Sequence, residues 1–528
     1  MAEKQTLNTR AAGVVGLAVM CSRVLGLVRE QLFAALFGGG RAMDAFGVAF
    51  RLPNLLRDMF AEGALSTAFI TTFSKRISAE GDESAWALAR KMATLTAVFL
   101  SLVTLIGMFL TPYIVAVLAP GFDADKAALT VWLARIMYPF ILLVSLAALV
   151  MGMLNAKNIF GIPAMASSFF NIGSILGGAG IGWWLDPEFG QRALTGLAIG
   201  TVIGGALQLF VQIPALFKIG FRFRPDFHWS DPGVKQILRL MGPAVLAAGS
   251  VQINVMINTM FASKLADGSI FQLGIAFRLM QLPLGIFGVA IGTVTLPVLA
   301  RSAAAKNTEE FRTILAKGIR LAMLLTLPAT VGLMFLAEPI LSVLYQHGKF
   351  DAQQTALAAA ALQSYAIGLS AYACMKVLAP AFYAIDKRRT PMFVSFGAIG
   401  LNLLLNYLFT IKFGFGIRGL AFSTGCVAIT NFGLLYFLMK RETRLLDTRL
   451  LVGTLLKLLL PLLALAGVCM AGNHWLLADW ATMPILWKIA ALFGTIIVAT
   501  ALFAGCAALM RIEEMNDLVA LVKRKLRR

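Results

Sequence analysis

The chain has 528 residues, is 59% hydrophobic and only 14% charged, and carries a formal net charge of +20 with a mean hydropathy of +0.81. A soluble protein holds roughly a quarter charged residues, so a soluble enzyme or scaffold is excluded. Apolar runs of about 20 residues recur from end to end, the pattern of an all-α, polytopic membrane protein.

In chain order, spans are expected at about 11–36, 43–73, 88–118, 127–154, 162–184, 193–217, 237–264, 270–300, 318–345, 354–384, 391–411, 417–439, 451–472 and 483–510. That makes fourteen. Lys4 and Arg10 precede the first span, which runs past a short h-region, so no cleavable signal peptide is expected. The even count puts both termini on one side. Lys75-Arg76, Arg90-Lys91, Lys387-Arg388-Arg389, Lys440-Arg441 and the basic end from Lys523 to Arg528 fall on that side, whereas the opposite loops hold only Arg41, Lys126, Arg192, Lys349 and Lys412. By the positive-inside rule both ends are cytoplasmic. The basic balance then reflects topology and attraction to membrane lipids, not nucleic-acid binding.

The stretch 22–62 departs from this apolar background. Arg23 lies some twelve residues into the first span, roughly 18 Å at the helical rise, too deep to snorkel. Arg57 is similarly central in the second, whereas Arg29, Arg51 and Arg278 are shallower and could snorkel outward. In the second span Asn54, Asp58, Glu62 and Ser66 recur every fourth residue, a polar stripe on one helix face. Arg51 and Asp58 share nearly one face, as do Arg23 and Glu30. Five arginines (Arg23, Arg29, Arg51, Arg57, Arg278) meet four acids (Glu30, Asp44, Asp58, Glu62), with Asp44 toward the outer end, so a deep cavity lined by them is net positive. Intramembrane charges mark a functional site by default; carboxylate pairing as structural glue is the competing reading.

An internal repeat sets the domain plan. Gly47-Val48-Ala49-Phe50-Arg51-Leu52 returns as Gly274-Ile275-Ala276-Phe277-Arg278-Leu279, a shift of 227, each copy with a proline soon after (Pro53, Pro283) and acids past the span (Asp82-Glu83, Glu309-Glu310). Six spans separate the copies, which predicts two parallel pseudo-symmetric six-helix lobes. The expected division is 1–219 for the first lobe, 220–236 for a cytoplasmic linker, 237–445 for the second lobe and 446–528 for two extra helices and a basic tail from Leu518. Within the linker, Arg222, Phe223, Arg224, Phe227 and Trp229 make either an interfacial segment or a solvated connection.

Guanidinium groups suit phosphate, because planar donors bind it bidentately and stay charged. No phosphate-binding Gly-x4-Gly-Lys-Ser/Thr loop and no cofactor motif is present, so no cofactor is expected. His228, His347 and His474 are too dispersed for a metal site, and Cys21, Cys374, Cys426, Cys469 and Cys506 read as small core residues within spans. The pattern is that of a transporter for a phosphate-bearing substrate.

Several stretches resemble the bacterial lipid II flippase family (MurJ, or MviN) of the multidrug/oligosaccharidyl-lipid/polysaccharide exporter superfamily. They are Ser22-Arg23-Val24-Leu25-Gly26-x2-Arg29, Asp44-Ala45-Phe46, Leu52-Pro53-Asn54-Leu55-Leu56-Arg57, Phe60-Ala61-Glu62-Gly63, Gly242-Pro243, Arg278-Leu279 and Ala379-Pro380-x-Phe382-Tyr383. The resemblance implies fourteen helices in two lobes. It implies export of undecaprenyl-diphosphate-linked disaccharide-pentapeptide across the inner membrane for peptidoglycan synthesis, with cavity arginines at Arg23, Arg29, Arg57 and Arg278. Gating or structural support is expected from Ser22, Glu30, Asp44, Asn54, Asp58, Glu62, Gln281 and Lys376. A monomer working beside the cell-wall synthesis machinery is expected. Gln281 stands where some members have glutamate and Phe277 where some have aspartate, which makes the second lobe's gate less acidic. Asn402 and Asn406 occupy a region where relatives hold sodium with an acid; two amides make a weak cation site. Alternatives are a flippase for another polyprenyl-linked glycan, a cation-coupled multidrug exporter of the same superfamily, and a polyprenyl-diphosphate enzyme. The last would need clustered acids for magnesium, and no span carries them.

Overall fold

The computed structural model describes residues 9–59, 65–443, 446–478, 483–517 and 520; among them every regular element is a helix. The chain divides into two compact units, Met1–Ile270 with Gly348–Phe350, and Phe271–His347 with Asp351–Arg528. The first holds α1 (Thr9–Phe37), α2 (Arg41–Met59), α3 (Ser66–Glu80), α4 (Asp82–Leu118), α5 (Ala124–Met137), α6 (Pro139–Ala156), α7 (Gly161–Ile175), α8 (Gly182–Leu185), α9 (Ala193–Phe210), α10 (Ile213–Lys218) and α11 (Pro232–Ala262). Next, α12 (Ser269–Pro283) runs across the division. The second unit continues with α13 (Val289–Ala304), α14 (Thr308–Phe335), α15 (Ala337–Tyr345), α16 (Ala352–Ala366), α17 (Leu369–Ala384), α18 (Arg389–Asn406), α19 (Gly416–Thr443), α20 (Thr448–Ala471) and α21 (Ile485–Leu509).

All fourteen expected spans coincide with helices. Ten described segments are long and apolar enough to cross a membrane, and α16 with α17, bent by 42°, makes an eleventh. The other three, α1, α2 with α3, and α11, lack such a stretch among the described residues. Two of them carry the intramembrane charges: Arg23, Arg29 and Glu30 on α1, and Arg51, Arg57 and Asp58 on α2.

The seventh span packs in the first unit. Val234 and Ile237 of α11 are fully buried in the same core as Phe69, Phe73, Leu88 and Met92. Asp231, which caps α11 by accepting from Gly233 N at 2.7 Å, receives Arg76 of α3 and Lys91 of α4, each at 2.7 Å. The connecting segment ahead of it is packed rather than solvated at its start: Phe221 is buried edge-on against Trp86, while Phe223 and Phe227 stay exposed. Cys374 and Cys469 are buried, but Cys21 is exposed on α1, so it is not a core residue. The tail expected from Leu518 lies almost wholly outside the described residues.

The two units repeat one another in detail that a fixed 227-residue shift does not reveal. Phe122-Asp123-Ala124 recurs as Phe350-Asp351-Ala352. Both aspartates cap the next helix, Asp123 accepting from Lys126 N at 3.0 Å and Asp351 from Gln354 N at 2.8 Å. The helix that follows breaks in both, at Tyr138 between α5 and α6 and at Ile367–Gly368 between α16 and α17. The next span ends in a widened π-helical stretch in both, Leu176–Ile181 and Tyr407–Lys412. Then Gly196-Leu197-Ala198-x2-Thr201 matches Gly419-Leu420-Ala421-x2-Thr424, with Thr201 donating to the Leu197 carbonyl at 3.0 Å and Thr424 to that of Leu420 at 3.1 Å. Each glycine lets its helix touch the preceding element's backbone. A Cβ at Gly196 would sit 2.3 Å from Gly182 N, and one at Gly419 2.8 Å from the Phe409 carbonyl oxygen.

Candidate functional site

Helix α1 packs on α7, and Asn171 Nδ2 ties the two by donating to the Ser22 carbonyl at 3.0 Å. One residue on, Arg23 is exposed and makes no hydrogen bond or ion pair among the described residues. Arg29 lies with its guanidinium 5.2 Å over the Phe170 ring and 3.6 Å from Glu30. At 3.6 Å that contact is an ion pair without a hydrogen bond.

Helix α2 runs antiparallel to α11, and two contacts set their register. Arg51 donates to the Thr259 hydroxyl, and Gln252 donates to Asp58 at 3.3 Å. Both pairs step by seven residues, so one face of each helix meets the other. Asp58 also receives Arg57 at 2.9 Å and Asn54 at 3.5 Å. The expected polar stripe is thus a bonded network through Asn54 and Asp58. Ser66 is buried further on, and Glu62 lies outside the described residues. Leaving aside Arg10 and the Arg41 and Asp44 end of α2, the two helices carry four arginines, Arg23, Arg29, Arg51 and Arg57, and two carboxylates, Glu30 and Asp58, each beside an arginine in sequence. The excess is positive, the sign a phosphate requires.

Asp44 belongs to a second cluster at the other end of α2. It is 2% exposed and accepts Lys126 Nζ at 3.1 Å and Gly268 N at 2.8 Å. Lys126, read from sequence as a loop charge, is 4% exposed, bonded also to Asp267 at 2.7 Å and held 4.1 Å over the Phe122 ring. Such a buried ammonium needs this full complement of partners. Alongside, Arg41 donates to Asp123 through both terminal nitrogens, and this holds the Asp123 carboxyl well below the usual carboxylate range.

In the second unit, Arg278 and Gln281 are exposed on α12, and Phe277 packs edge-on to Tyr365 at 5.4 Å. Lys376 is exposed on α17. Asn402 and Asn406 are buried, and Asn406 accepts the Ser423 hydroxyl. The oxygens here are neutral, and no group of three or more His, Cys, Asp or Glu suited to a metal occurs among the described residues.

Sequence reasoning alone missed Asn171, Gln252, Thr259, Lys126 and Asp267. A signal existed for three of them. Asn171 is an amide in an otherwise apolar span, and Gln252 and Thr259 sit seven apart in another, matching Arg51 and Asp58. Nothing local distinguishes Lys126 from a solvated loop lysine.

The sequence profile of the lipid II flippase MurJ family matches residues 33–491. The lipid II flippase MurJ of Burkholderia cenocepacia is 34% identical over 506 residues, covering 94% of this chain and 96% of that protein. The probable lipid II flippase MurJ of Vibrio cholerae is 34% identical over 521 residues, covering 96% of this chain and 97% of that one. A solved lipid II flippase MurJ in an inward closed conformation superposes with a TM-score of 0.73 at 25% identity, over 93% of this chain and 98% of its own. An inward-facing multidrug resistance MATE transporter of the MOP superfamily gives a TM-score of 0.68 at 15% identity, over 83% and 99%, a likeness of fold alone. With the profile match spanning most of its length and full-length relatives above 30% identity, this chain belongs to the lipid II flippase MurJ family.

Proposed function

We propose that this chain moves lipid II, the undecaprenyl-diphosphate-linked peptidoglycan precursor, from the inner to the outer leaflet of the bacterial cytoplasmic membrane by alternating access. The observation that carries the reading is the excess of guanidinium groups on α1 and α2 in a chain of this family. The physical problem is the headgroup. Taking a diphosphate through hydrocarbon costs tens of kcal/mol in the Born limit. Arg23, Arg29, Arg51 and Arg57 of the first unit replace its water with fixed donors, and Arg278 is the candidate cation of the second unit. The polyprenyl tail has no such cost and stays in lipid. Glu30 and Asp58 keep Arg29 and Arg57 oriented and yield them to the stronger, doubly charged acceptor. Substrate binding then neutralises mutually repelling cations and shifts the equilibrium between inward- and outward-open states.

Both termini are cytoplasmic in this reading, so the membrane is negative on the side from which substrate departs. Each negative charge moved outward gains about 2.3 kcal/mol per 100 mV, enough to bias export without a bound cation. Flipping in vesicles is expected to slow when ionophores collapse the potential; an unchanged rate rules the potential out as driver. The function itself is tested by complementation. In a bacterium depleted of its own lipid II flippase, this chain restores wall synthesis and growth, and Arg57→Ala, expressed to the same level, does not. Lysis despite stable expression of the unaltered chain would overturn the assignment.

A further inference from the structure

In the first unit, the turn from α8 to α9 and the side of α5 enclose an open cavity of about 740 Å³. Its walls include Leu129 and Trp132 of α5, Leu185 at the end of α8, Asp186 of the turn, and Arg192 and Thr195 at the start of α9. The volume is in the range that takes a small-molecule group.

The turn is firmly built. Asp186 accepts from Gly190 N at 3.0 Å and Glu188 N at 3.3 Å, and Lys349 Nζ donates to the Phe189 carbonyl at 3.1 Å. The Arg192 side chain, in contrast, is exposed and makes no hydrogen bond or ion pair among the described residues. Its donor fork is available at the cavity wall. The Thr195 hydroxyl receives Trp132 Nε1 at 3.4 Å and keeps its own proton to donate.

The level of this cavity is marked by aromatic side chains. Trp183 and Trp184, just before the turn, are exposed by 61% and 77%. Aromatic rings at span ends sit at the depth of lipid headgroups. This turn falls on the Lys/Arg-poor side of the chain.

Charge then selects the ligand. A lone cation would suit any anionic lipid or free phosphate. Arg192 and Asp186 together give a wall with no net charge and two opposite poles. We propose that this cavity binds the headgroup of an outer-leaflet zwitterionic phospholipid bearing a primary ammonium. The phosphodiester rests on Arg192 and Thr195, the ammonium on Asp186, and the acyl chains follow Leu129, Leu185 and the Trp132 ring. An ammonium with N–H donors forms charge-assisted hydrogen bonds to a carboxylate, and a trimethylammonium cannot.

The test uses the full chain, delipidated in detergent and titrated with phosphatidylethanolamine, phosphatidylcholine or phosphatidylglycerol, with adducts counted by native mass spectrometry. Phosphatidylethanolamine should be retained about ten-fold over either of the others, the scale of one charge-assisted hydrogen bond. Asp186→Asn should remove that preference; the asparagine keeps one of the two oxygens that accept the turn amides, and an unchanged unfolding temperature shows the turn is intact. Arg192→Gln should weaken retention of all three lipids, because each carries the phosphodiester. Thr195→Val should weaken retention of phosphatidylethanolamine and phosphatidylcholine alike, because both carry the phosphodiester. Equal retention of phosphatidylethanolamine and phosphatidylcholine by the unaltered chain would overturn the proposal. So would a preference for phosphatidylglycerol lost in Arg192→Gln alone, or competition by free phosphoethanolamine as strong as by the lipid.

Discussion

The two units share a skeleton and differ in charge. Both cap the same helix with an aspartate, break the same span, widen the next into a π-helical stretch, and press the helix after it onto backbone through a glycine. Yet α1 and α2 carry Arg23, Arg29, Arg51 and Arg57 with Glu30 and Asp58, whereas α12 carries Arg278 beside a neutral Gln281. The features kept in both copies are those a helix needs for its own geometry: a capped N-terminus, a tolerated break, a close approach. The features that diverged touch no backbone requirement. Duplication thus supplied the fold twice and left these charged positions free to diverge.

That asymmetry can be broken by experiment. The largest effect is expected from Arg23→Ala or Arg57→Ala, each abolishing complementation, while Gln281→Ala supports growth; equal loss from Gln281→Ala would show that the second unit carries as much of the chemistry as the first. Next come the glycines. Gly196→Ala puts a methyl against Gly182 N and should cost about 3 kcal/mol, the upper range for overpacking. Gly419→Ala, with 2.8 Å in place of 2.3 Å, should cost less. Thermal unfolding in detergent ranks them, and the reverse order would mean the second unit is the tighter.

Asp231 offers a further test within the first unit, because its side chain both caps α11 and receives two cations. Its side chain is 6% exposed between Arg76 and Lys91, and breaking such a pair costs roughly 3 kcal/mol. Burial pushes its carboxyl up, but the hydrogen bonds from Arg76, Lys91 and Gly233 outweigh this and hold it well below the ordinary range. A depressed carboxylate stabilises the fold above its unfolded pKa, about 3.9, and loses that contribution as pH falls toward its folded value. The gap in unfolding temperature between the unaltered chain and Asp231→Asn should therefore be full at pH 7 and shrink below about pH 4. The smallest effect belongs to the caps. Asp351→Ala should cost about 1 kcal/mol, and Asp123→Ala somewhat more, because it also frees Arg41.

Much of this was legible in the sequence. Eleven of the expected spans follow from apolar length, and the shared arginine at Arg51 and Arg278 revealed the duplication. The other repeats were hidden because their shifts drift, 228 for Asp123 and Asp351 and 223 for Gly196 and Gly419, as loops gained and lost residues. The placement of α11 with the first unit was also hidden. It depends on Asp231 meeting two cations from helices about 140 and 155 residues earlier, which no local pattern encodes. At the candidate site the charged residues were visible, but the partners Thr259 and Gln252 of Arg51 and Asp58 were passed over despite their matching seven-residue spacing, because a single amide or hydroxyl in an apolar span usually bonds its own helix.

Lys126 carries a last consequence. Its amine is sealed between Asp44, Asp267 and the Phe122 ring, so a water-soluble acylating reagent reaches it only when that cluster parts. The chain therefore contains its own chemical clock: the rate at which this one lysine becomes modified reports how often that end of α2 comes loose, with no label introduced.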